Sequence, residues 1–124
     1  MQVEGQGKFY SSEMARLWNA VETLATKSGS ITDRVCEAFI HELAVMSAQS
    51  FPEELRGQFE ELRQDFNEQI SDAERKMAAL GLPTIPGIEA AKSRIHPARA
   101  RRLAGAIFAL CRRLAYRIQN ELRE

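Results

Sequence analysis

The chain has 124 residues, with 17 Lys and Arg balancing 17 Asp and Glu, 44% hydrophobic residues and two cysteines. That length is one domain's worth, and the composition excludes a disordered, collagen-like or disulfide-stapled chain. No apolar run approaches membrane-spanning length, and the first ten residues lack a secretory signal pattern, so a cytoplasmic protein with free thiols at Cys36 and Cys111 is expected.

The balance of charge hides a division. Residues 1–91 carry 8 Lys and Arg against 15 Asp and Glu, a net of −7, whereas residues 92–124 carry 9 against 2, a net of +7. Alanine, leucine, glutamate and arginine dominate while valine and isoleucine are sparse, which favours helix over strand. The expected fold is an all-α bundle of about four main helices and one short one. Residues 1–9 are expected to form a flexible lead-in, and residues 10–124 a single domain.

The first helix is signalled by Ser11 and Ser12 as N-cap candidates, Glu13 in the first turn and Gly29 as a stop. Between them Met14, Leu17, Trp18, Val21, Leu24 and Ala25 recur at the spacing of one helical face, predicted to be core. Ser30 to Asp33 then offers caps for a second helix. Its face of Val35, Cys36, Phe39, Ile40, Leu43 and Met46 predicts helix to about Gln49, before Ser50-Phe51-Pro52 ends it.

Pro52 and the acids after it suit the first turn of a third helix. From Leu55 the apolar positions Phe59, Leu62, Phe66, Ile70, Ala73, Met77 and Leu80 follow at steps of three and four, which predicts one long helix. Ser71 to Glu74 matches a capping box, so a break between Asn67 and Ser71 is the competing pattern. Gly81 is a stop, and residues 81–87 form a proline-rich corner in which Pro86-Gly87 fits a type II turn. Ile88 to Ile95 reads as a short helix. The last helix starts at Pro97 and runs to about Leu122.

The last helix raises the functional question. On a wheel of ~100° per residue, Leu103, Ile107, Phe108, Leu110, Cys111, Leu114, Ile118 and Leu122 fill nearly half the circumference. Arg101, Arg102, Arg112, Arg113, Arg117 and Arg123 fill the other half, with Tyr116 among them. The candidate binding residues are therefore Arg99, Arg101, Arg102, Arg112, Arg113, Tyr116 and Arg117. The plainest role for these arginines is ion pairing with Glu53, Glu54, Glu60, Glu61, Asp65, Glu68, Asp72 and Glu74 of the third helix, within the chain or across a dimer.

Beyond ion pairing, an acidic protein partner and nucleic acid are the readings to weigh. Arginine is a frequent interface anchor, and a basic face also releases counterions from phosphate. Residues 99–117 contain no Asn or Gln to read base edges, so nucleic-acid contact would be with the backbone. Attachment to a membrane surface is disfavoured because the apolar face is needed for the core. The wide apolar arc and the charge division favour self-association, a dimer first.

Enzyme signatures are scarce. Glu37 and His41 lie one turn apart and could begin a metal site, but a helical histidine hydrogen-bonded to glutamate is the commoner arrangement. Both cysteines fall on apolar faces, where a thiol is a poor nucleophile. The expectation is a non-catalytic interaction or accessory protein acting through the basic face of its last helix, without cofactor or metal, with nucleic-acid binding by the same arginines as the alternative.

Overall fold

Helix α1 (Ser11–Thr26) begins behind Tyr10, whose φ of 61° turns the chain so that its carbonyl accepts from the Met14 amide at 2.8 Å. The computed structural model describes residues 10–82 and 87–123, so the expected lead-in and the Pro86-Gly87 turn lie outside the described residues. Ser11 and Ser12 are not the cap: they sit inside the first turn. Leu17 and Ala20 are buried, whereas Trp18 is 62% exposed and Ala25 is exposed. Both point about 80–100° away from Leu17, off the edge of the packed stripe.

α2 (Ile31–His41) is capped by Ser30, whose hydroxyl accepts the Asp33 amide at 3.1 Å. It runs antiparallel to α1. Arg34 donates to the Leu24 carbonyl at 2.7 Å near one end, and Arg16 reaches Glu42 at 3.1 Å near the other. The helix stops eight residues before the expected Gln49, giving way to short 3₁₀ turns at Leu43–Val45 and Ala48–Ser50. The break lets Met46, Ala48 and Phe51 all turn inward, and Phe51 stacks on Phe59 at 4.7 Å. Breaking a helix frees carbonyls, and the next helix satisfies two of them: Arg63 donates to Met46 O at 3.0 Å and Arg56 to Phe51 O at 3.0 Å.

α3 (Glu53–Ala79) is continuous through Asn67–Ser71. It ends in a Schellman arrangement, with Gly81 at φ 72°, its amide on Ala78 O at 3.0 Å and the Leu82 amide on Met77 O at 3.1 Å. α4 (Gly87–Arg94) lies against α3 so closely that a Cβ on Gly87 would sit 2.7 Å from Ile70 Cγ2. α4 is also tied to α2, because the buried Thr32 hydroxyl donates to Ile95 O at 3.1 Å.

α5 (Pro97–Arg123) contacts α1, α2 and α3, while α1 and α3 share little contact of their own. Leu103, Ile107, Leu110, Cys111 and Leu114 are buried against Leu17, Val35, Phe39, Leu55, Phe59 and Phe66, and Phe39 stacks on Phe66 at 4.3 Å. The chain is thus an all-α helical bundle, with no strand among the described residues. Most of the apolar arc of α5 is used by three helices of the same chain, while Phe108 and Leu122 of that arc stay exposed. No helix among the described residues is long and apolar enough to cross a membrane.

Candidate interaction surface

The predicted basic face of α5 divides into two rows. One row faces α3, which runs antiparallel to α5, so its partners descend in number as the arginines ascend. Arg99 lies 3.5 Å from Asp65, Arg113 donates to Gln58 at 2.5 Å, and Arg117 donates to Glu54 at 2.5 Å and to Glu121. The Arg117 guanidinium is held above its ordinary range by hydrogen bonds to Glu121 and then Glu54. The Glu54 carboxyl lies below the usual carboxylate range, held there by its own backbone amide and then by Arg117. Ion pairing therefore accounts for Arg99 and Arg117, and a hydrogen bond for Arg113.

The other row points outward. Arg101, Arg102 and Arg112 are exposed and make no ion pair among the described residues. Phe108, 48% exposed, and Tyr116, 67% exposed, lie in the same outward half. The Arg112 guanidinium stands 6.0 Å from the centre of the Phe108 ring, at the outer limit of a cation–π contact. Phe108 lies at the margin of the apolar arc, on the wrong side of it for burial.

The middle of this face is low. A Cβ on Gly105 would meet nothing within 4 Å, and an open hollow is lined by Ala109, Arg112, Arg113 and Tyr116. Arg101 and Arg102 stand at one end and Arg112 at the other, about 15 Å apart from Arg102 to Arg112 at 1.5 Å per residue. No Asp or Glu occurs from Ala98 to Asn120, so the outward row has no carboxylate along its own stretch of the helix. The α3 carboxylates Glu54 and Asp65 are engaged by Arg117 and Arg99 of the other row.

The Glu37–His41 pair forms a different constellation from a metal site. His41 Nε2 lies 2.9 Å from Glu37, and Lys92 of α4 lies 2.5 Å from the other carboxylate oxygen. Glu37 is held below its ordinary range, first by the Lys92 hydrogen bond, and Lys92 above its own by Glu37. Lys92 is 55 residues from Glu37, and no local spacing signals the pairing. Among the described residues no three of His, Cys, Asp and Glu gather to hold a metal ion. Burial pushes the Cys36 thiol up to about 11 and also raises Cys111, so neither is poised as a nucleophile.

Comparison of the chain with protein-family models, curated proteins and solved structures gives no match, and the surface is read from its own chemistry.

Proposed function

We propose that the chain is a non-catalytic interaction module whose outward α5 face docks an acidic segment of a partner protein. The observation that carries the reading is the row of Arg101, Arg102 and Arg112, exposed and without ion pairs among the described residues, beside the exposed rings of Phe108 and Tyr116. Arginine and aromatic residues are the side chains most enriched in the energetic centres of protein interfaces. Gly105 and Ala109 leave the centre of the face shallow enough for a second segment to approach the helix.

Two features favour protein over nucleic acid. Among the described residues the outward row holds only Arg101, Arg102 and Arg112, a small footprint for counterion release. The exposed rings of Phe108 and Tyr116 suit the apolar side chains of a partner segment, and residues 99–117 hold no Asn or Gln to read a base edge. A symmetric dimer through this face would set arginine against arginine, so a second copy would have to offer its α3 carboxylates instead. Self-association is therefore a competing outcome, as is nucleic-acid binding.

Fluorescence anisotropy with two labelled probes tests the reading: a 20-residue peptide alternating Glu with Leu, and a mixed-sequence 20-nucleotide RNA. The peptide is expected to bind at ~50 mM salt and to lose binding in Arg101→Glu/Arg112→Glu, with the RNA unbound at ~150 mM salt. RNA binding tighter than peptide binding, with a steep salt slope, overturns the reading in favour of nucleic acid. A solution mass of two chains that falls to one in the double variant overturns it in favour of self-pairing.

A further inference from the structure

The junction of α3, α4 and α5 holds a second cationic feature, away from the outward α5 row. A notch of about 250 Å³ is lined by Gln69, Asp72 and Lys76 of α3, Arg94 at the end of α4, His96 between the helices and Arg99 in the first turn of α5. Buried Ala73 and Ile95 form its floor. We propose that this notch binds a phosphate-type oxyanion.

The argument begins with the charges. Lys76, Arg94 and Arg99 face one carboxylate, Asp72, and that carboxylate is already held by Lys76 at 3.1 Å and by Arg75 at 3.1 Å. Arg99 is loosely engaged, 3.5 Å from Asp65. Arg94 is exposed and makes no ion pair among the described residues. The notch therefore carries excess positive charge contributed by three separate elements, which a flat run of arginines on one helix does not provide.

The hydrogen-bonding pattern points the same way. The Ala98 amide donates to His96 Nδ1 at 3.0 Å, so that nitrogen carries no proton and the neutral ring is a donor at Nε2. Together with the guanidinium, ammonium and Gln69 amide groups, the lining supplies many donors, with Asp72 as its one carboxylate. A tetrahedral oxyanion is the ligand class that accepts from such a set on several sides. The positive end of the α5 dipole lies at the same place and adds to the field. The lining contains no Trp, Tyr or Phe on which a base would stack, so the recognised group is the phosphate itself and not a nucleoside.

The test is a titration followed by amide NMR spectra, with inorganic phosphate in one arm, O-phosphoserine in another, and sodium chloride at matched ionic strength as reference. Saturable shifts at the Gln69 side chain, Ala98 and Arg99 are expected with phosphate and not with chloride. Arg94→Gln should weaken binding at least about tenfold, the loss of one charge-assisted contact. Arg101→Gln, on the outward row, should leave it unchanged. Binding of phosphate alone identifies a site for the free ion, and binding of both identifies a site that also takes monoesters. The proposal is overturned if phosphate shifts do not saturate, if chloride reproduces them, or if Arg94→Gln binds as the parent does while its core amides remain in place.

Discussion

α3 and α5 are each 27 residues long, pack side by side, and are built in opposite ways. α3 carries eight carboxylates against four cations and meets the core along a stripe one side chain wide: Leu55, Phe59, Leu62, Phe66 and Ala73. α5 carries seven arginines against one carboxylate and buries Leu103, Ile107, Leu110, Cys111 and Leu114 over a far wider arc. The difference is one of position. One stripe serves α3, whose helix neighbours are α4 and α5, whereas the buried positions of α5 spread over about 100° to meet α1, α2 and α3. Breadth of the apolar arc thus reports how many neighbours a helix has, and those neighbours are supplied within the chain.

If α5 is the centre and α3 the margin, truncation should hurt α5 more. Leu110→Ala is expected to cost about 3–5 kcal/mol in urea unfolding and Leu62→Ala about 2–3 kcal/mol, both from lost burial and the cavity left behind. A larger loss at Leu62 would reverse the comparison. Glycine gives the next contrast, since Gly57 of α3 and Gly105 of α5 are both open, with nothing within 4 Å of an added Cβ. Each should gain about 0.5–1 kcal/mol on replacement by alanine, because the helix interior favours alanine. Gly105→Ala should also weaken peptide docking, which Gly57→Ala should not.

Titration distinguishes the α3–α5 contact from the α2–α4 contact. Glu54 and Glu37 both have folded values below their unfolded ones, so their contributions are present above about pH 4.3 and are lost as pH falls through the folded values. Lys92 is raised, so its contribution is present below about pH 10.4 and lost as pH rises further. Arg117 does not titrate in the working range. Acid should therefore weaken both contacts, and alkali only the one made by Lys92. The buried thiols add an earlier alkaline decline from about pH 8.5, because the unfolded chain ionises them first. Stability measured from pH 3 to 11 should show both limbs, with Lys92→Met removing only the later part of the alkaline one. The smallest effect is expected at Glu54→Gln, under about 1 kcal/mol and smaller still in high salt, because that pair is half exposed to solvent.

Much of this architecture was legible in the residues. The steps of three and four from Leu55 to Met77 specify a continuous α3, Gly81 ends it as expected, and the wheel of α5 separates its buried leucines from its arginines. The shorter α2 was not legible, because Leu43 and Met46 keep helical spacing while the carbonyl bonds from Arg56 and Arg63 that permit the break come from another helix. Trp18 and Phe108 have core-like spacing but sit at the margins of their stripes, where burial depends on how close the next helix comes. In the sequence the basic face is one patch. Its division into a row tied to α3 and an outward row follows from the side on which α3 lies, which periodicity does not encode.

The place of α5 in the chain has a consequence for synthesis. Every helix it holds together is translated before it, and α1 and α3 have little to bind each other with until it arrives. A nascent chain ending near Ile95 has its aromatic cluster of Phe39, Phe51, Phe59 and Phe66 made but lacks Ile107, Leu110 and Leu114 to close over it. Contacts between α1 and α5 span most of the sequence, so the loop to be closed is long for a helical protein. The order of emergence from the ribosome therefore lets the α1–α2 and α3–α4 pairs meet first, and closes the core between them only once α5 is made.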